Sequence, residues 1–63
     1  MNGGDQIVAA VVTKETREKL AGDILVLLAQ DDAELQTIAT SLARITNSMI
    51  HELPTGVILL VRH

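Results

Sequence analysis

Three places in this chain hold side chains whose types could do chemistry together. His51 and Glu52 are neighbours. A histidine followed by glutamate is half of a zinc-binding helix pattern, whose second ligand is a histidine one helical turn on. That ligand is missing, because position 55 is Thr55. On the helix read below, His51 lies opposite Leu35 and Leu53, on the solvent side. A protonated imidazole near a helix C-terminus is mildly favourable there, so His51 is expected to carry no ligand. Asp31, Asp32 and Glu34 could be paired acids or metal ligands, but helix capping accounts for the same residues. Arg62 and His63 are the candidate anion-binding residues, with Lys14 or Arg17 as helpers; they could equally form a basic end to a strand. Gly3-Gly4 is no phosphate loop, since no Lys-Ser/Thr follows and the glycines precede a strand. The sequence therefore assigns no catalytic residue, no metal ligand and no cofactor.

Composition narrows the classes further. With 63 residues the chain is one domain, 1–63, with 1–5 as a flexible tail. A chain of this size buries only about 60% of its unfolded surface, and self-association is a usual remedy. It has no cysteine, which excludes disulfides and thiolate zinc sites and fits a reducing cytoplasm. A net charge of −3 argues against nucleic acid as a partner. There is no aromatic residue, so no base-stacking platform or aromatic cage is available. Apolar residues make up 48% of the chain and mean hydropathy is +0.33, which argues against disorder. No apolar run approaches the ~20 residues of a membrane span, and Met1 to Asp5 lacks the basic start of a signal peptide. Small tautomerases of similar size use an N-terminal proline; this chain begins Met1-Asn2, and its one proline, Pro54, sits in a turn.

The elements that must position these residues follow from periodicity. Asp31 to Leu53 reads as one long helix. Asp31 is its N-cap, Glu34 the capping-box partner, and Asp31, Asp32 and Glu34 put negative charge at the positive end of the dipole. Leu35, Ile38, Leu42, Ile45, Met49 and Leu53 form an apolar stripe at helical spacing, and Leu42 and Ile45 should meet a sheet. Pro54 stops the helix and Gly56 allows a tight return. Ile7 to Val12, Ile24 to Ala29 and Val57 to Val61 are continuous apolar runs and read as strands. Residues 14–20 read as a two-turn helix or a solvated loop. The expected fold is α/β: a three-stranded sheet in β-β-α-β order, with a parallel crossover between the second and third strands and one long helix on one face.

Two mismatches point outside the chain. Strands without polar alternation are usually buried on both faces, yet one helix covers only one. The helix, at roughly 30–35 Å, also overhangs strands of ~20–23 Å. The second face is therefore expected to be covered by oligomerisation or a partner. Arg62 is easier to place away from the helix, which assigns Val57, Leu59 and Val61 to the helix side and Ile58 and Leu60 to the open face. With Leu25 and Leu27, Ile58 and Leu60 are the interface candidates. Thr37, Thr40, Ser41, Thr46, Asn47 and Ser48 read as a solvated face; the alternative is a face of short side chains on which a partner helix could pack closely.

Three stretches carry a resemblance: Ala10-Val11-Val12-Thr13, Asp31-Asp32-Ala33-Glu34-Leu35, and Gly56-Val57-Ile58-Leu59-Leu60-Val61-Arg62-His63. Together they resemble the capping complex subunits for YIEGIA, short proteins of endospore-forming bacteria. The chain departs from the pattern at Ala21-Gly22-Asp23, where a glycine-proline approach to the second strand is expected. The resemblance implies a small soluble subunit seated on a multi-pass membrane protein, with no known catalytic residues. The expectation is thus a non-enzymatic, cytoplasmic interaction subunit, homo-oligomeric and peripheral at the membrane through its partner, without membrane insertion. The alternative is a small ligand- or anion-binding regulatory module built around Arg62 and His63.

Overall fold

The computed structural model describes residues 6–63, so the tail expected over 1–5 lies outside the described residues. Strand β1 spans Gln6–Thr13 and β2 spans Leu25–Ala29, with a short 3-10 turn at Arg17–Lys19 between them. Helix α1 spans Asp32–Thr46. Two more strands follow, β3 at Met49–Glu52 and β4 at Ile58–Arg62. The result is a small α/β fold, one helix on a four-stranded mixed sheet of order β2-β1-β4-β3.

The helix starts as its sequence dictates. The Asp31 carboxylate accepts from the Glu34 amide at 2.8 Å, and the Glu34 carboxylate reaches back to accept from the Gln30 amide at 2.9 Å. It stops eight residues before Pro54, and this corrects the expected Asp31 to Leu53 helix. Asn47 takes a left-handed backbone, φ 55° and ψ 49°, which asparagine tolerates better than most residues. The Asn47 amide then donates to the Arg44 carbonyl and the Ser48 amide to the Ala43 carbonyl at 2.9 Å. These two bonds close the helix in a Schellman motif. The length mismatch disappears with the shorter helix: 15 residues make about 22 Å, close to the ~26 Å of β1.

The residues released from the helix become β3. It pairs antiparallel with β4 through a tight hairpin, in which the Gly56 amide donates to the Leu53 carbonyl and the Leu53 amide to that of Val57. Pro54 and Thr55 fill the turn, and Gly56 follows at φ 93°, a conformation that needs glycine. The sheet therefore has four strands where three were expected. The expected crossover is also corrected. β1 runs parallel to β2 and antiparallel to β4, so the C-terminal strand is antiparallel to β2 and not its neighbour. The helix instead carries the chain from β2 across the sheet to β3 at the opposite edge.

Packing shows why the strands lack polar alternation. On the helix side, Ala9, Val11, Ala29, Ile58 and Leu60 are buried with Leu35 and Ala39, and Leu27, Ile38, Leu42 and Ala43 pack around them. On the other face, Ala10, Val12 and Val57 are buried beneath Leu20, Ile24, Val26 and Leu59. Leu20 and Ile24 come from the link between β1 and β2, so the chain covers one end of its second face itself. That qualifies the expectation that only another chain could do so. The assignment of β4 is reversed: Ile58 and Leu60 face the helix, while Val57 and Leu59 face away. The cause is Arg62, which shares the Ile58 side of the strand. Its Nε and Nη2 donate to the Thr46 carbonyl at 3.2 and 2.8 Å, so the guanidinium belongs on the helix side as a cap on the helix C-terminus. Ile45 is also corrected. It is 80% exposed instead of meeting the sheet, whereas Leu42 does pack into the core.

These placements separate two substitutions that look alike in the sequence. Leu60→Ala should lower unfolding free energy by about 2–5 kcal/mol, and Ile45→Ala by less than about 0.5 kcal/mol, in urea titrations followed by circular dichroism. Equal losses would show that the helix is rotated from the position described.

Candidate functional site

Strand β2 is the sheet's most apolar edge. It pairs with β1 on one side, and no described residue pairs with its other side. Leu25-Val26-Leu27-Leu28-Ala29 carries neither charge nor proline, the usual protections of an edge strand. Register with Ala9 and Val11 sets Leu25 and Leu27 on the helix side. Leu25 is 58% exposed there, and Leu28 is 50% exposed on the opposite face.

The helix extends this edge into a groove. Its Ile38–Ile45 flank overhangs β2 and leaves an open trough of about 250 Å³ lined by Leu27, Thr37, Ile38, Ser41, Leu42 and Ile45. The lining is almost wholly apolar, because the Thr37 hydroxyl is taken up by the Ala33 carbonyl at 3.0 Å. Thr37, Thr40 and Ser41 are exposed, and they keep the helix surface beside the trough low. Thr46 and Ser48 do not belong to that face. The Thr46 hydroxyl donates to the Leu42 carbonyl at 2.7 Å and contacts the Ser48 hydroxyl, so both serve the helix end.

The interface candidates therefore divide. Leu25 and Leu27 lie on the exposed edge and in the groove, while Ile58 and Leu60 are wholly buried under the helix. Arg62 and His63 are not brought together as an anion grip. Arg62 caps the helix on one side of the sheet, and His63 lies against His51, whose neighbour Leu59 belongs to the other side. Lys14 follows the far end of β1 from Gln6, the residue paired with Arg62, so it stands away from that guanidinium. Asp31 and Glu34 are occupied as caps. Among the described residues, no group of three or more His, Cys, Asp and Glu side chains could hold a metal.

Sequence reasoning missed one juxtaposition. His51 sits on β3, not on a helix, and its Nε2 is 3.3 Å from His63 Nε2. The ring centroids are 5.4 Å apart, with the rings inclined at 65°. The usable signal was Asn47, a helix-stop residue that releases Met49–Glu52 to pair beside β4.

If Arg62 is a structural cap, Arg62→Ala should lower stability by about 0.3–1 kcal/mol, the usual range for a cation at a helix C-terminus. Phosphate at millimolar concentration should leave the melting temperature of the parent protein unchanged. Stabilisation by phosphate that disappears in Arg62→Ala would restore the anion-site reading.

The family model described as "Capping complex subunit for YIEGIA" matches residues 4–63. No curated protein and no solved structure matches the chain.

Proposed function

The chain belongs to the family of capping complex subunits for YIEGIA, and from that premise we propose that it is a non-enzymatic interaction subunit. In this reading it caps or regulates a multi-pass membrane protein in endospore-forming bacteria. It works from the cytoplasmic side, peripheral to the membrane, and associates with further copies of itself. The family description supports the role in a complex. No helix among the described residues is long and apolar enough to cross a membrane, so this reading seats the chain on its partner without spanning.

One observation carries the reading: the unguarded β2 edge beside an apolar groove. Leu25 and Ile45, at 58% and 80% exposed, flank the Leu27 groove. An extended segment of the partner added to this edge would find backbone donors and acceptors, and the groove would take every second side chain. Leu25 and Leu27 are then the interface residues of the original set. Ile58 and Leu60 support the surface from beneath.

Ile45→Glu should leave the protein folded, because Ile45 contributes little to the core. It should abolish co-purification with the membrane partner from the native host. Retained co-purification by a folded Ile45→Glu, Leu25→Lys double variant would remove this surface from the complex.

A further inference from the structure

The groove beside β2 is apolar along its length, but its two ends differ in charge. At the Ala29 end, beside Thr13 of β1, the chain turns into the helix through Asp31, Asp32 and Glu34. Glu34 stands on the helix flank that lines the groove, one turn before Ile38. Asp31 and Glu34 accept from backbone amides, which carry no net charge. The helix dipole offsets only about half a unit of the negative charge gathered there. The Ile45 end is balanced, with Arg44 on the helix and Asp23 ahead of β2. Lys14 lies against Leu28 and Gln30, on the face away from the helix.

We propose that the segment taken by the β2 edge is a basic one: an extended stretch antiparallel to β2, with two or more Lys or Arg residues at its N-terminal end and alternating apolar residues after them. Antiparallel pairing is the more stable per residue. It sets the N-terminus of the segment beside Ala29, where basic side chains on the helix side reach Asp31, Asp32 and Glu34. The residues that follow place every second side chain in the groove over Leu27.

The same charges argue against a second copy as the occupant. Pairing β2 with its own copy about Leu27 brings Asp23 and the second copy's Asp31 together at both ends of the ladder. Like charges set opposite one another destabilise a sheet. This inference rests on the partner reading above and deepens it. Cytoplasmic loops of multi-pass membrane proteins carry an excess of Lys and Arg close to the membrane, so such a segment is at hand where that reading seats the chain.

The test titrates the full nitrogen-15-labelled chain with three synthetic peptides and follows the amide shifts of Leu25–Ala29. One peptide has two lysines ahead of alternating valine and threonine. The second carries the lysines at its C-terminal end, and the third has glutamates in place of the leading lysines. The lysine-first peptide should bind roughly tenfold tighter than either of the others at low salt, and the gap should close at high salt. It should also close in a chain combining Asp31→Asn, Asp32→Asn and Glu34→Gln. These changes keep the caps, because Asn and Gln accept the same hydrogen bonds, and circular dichroism checks that the helix survives. Equal binding of the three peptides, a preference for either of the others, or a gap that persists in the triple variant overturns the inference and leaves the docking edge standing. A dimer that sedimentation shows falling apart in Leu25→Lys gives the edge to a second copy and overturns it too. No shift in Leu25–Ala29 with any peptide removes the edge as a docking site and overturns both readings.

Discussion

The fold depends on how the helix ends. At Asn47 the backbone turns left-handed, and the Arg44 and Ala43 carbonyls are satisfied by the next two amides. The Thr46 carbonyl, left over at the helix end, receives the Arg62 guanidinium from β4. This contact joins the helix terminus to a strand 16 residues later. It sets which side of β4 faces the helix, and so which residues are core and which are surface. Ending the helix here also frees Met49–Glu52 to flank β4. β4 thereby becomes an interior strand, with Ile58 and Leu60 wholly buried.

Much of this was legible locally. Asp31 and Glu34 mark the helix start, and each makes the hydrogen bond its type suggests. The three apolar runs are strands to within a residue or so at each end. What failed was parity and extent. Met49 and Leu53 are one helical turn apart and continue the stripe of Leu42, so period alone cannot separate a long helix from a helix followed by a strand. Asn47 held the distinguishing information, but an asparagine on a polar face reads as solvated. The face of β4 could not be read from the strand, because a run apolar on both sides has no outward signal. Arg62 broke the tie, and solvent was the wrong inference: an exposed guanidinium can still belong to the core side when a helix carbonyl waits there.

The candidate surfaces were legible to a similar degree. Leu25 and Leu27 could be picked as apolar strand residues, and they lie on an edge because β1 and β4 fill the centre of the sheet. The place of Ile45 in the stripe points to the core, but the side chain is 80% exposed and lines the groove beside Leu27. The histidine pair was beyond the sequence, since it requires β3 to exist and to lie beside β4. Two surfaces result, an apolar groove on the helix side of β2 and a histidine-bearing patch on the opposite face.

The central claim is that the chain leaves the helix at Asn47 and returns as a strand whose neighbour buries Ile58 and Leu60. Nuclear magnetic resonance of the labelled protein tests it most directly. The account predicts strand-type backbone shifts over Met49–Glu52, cross-strand contacts linking His51 with Leu59 and Ile50 with Leu60, and side-chain contacts from Leu60 to Leu35 or Ala39. Helical shifts running unbroken to Leu53, with Leu60 contacting none of the helix, would contradict it.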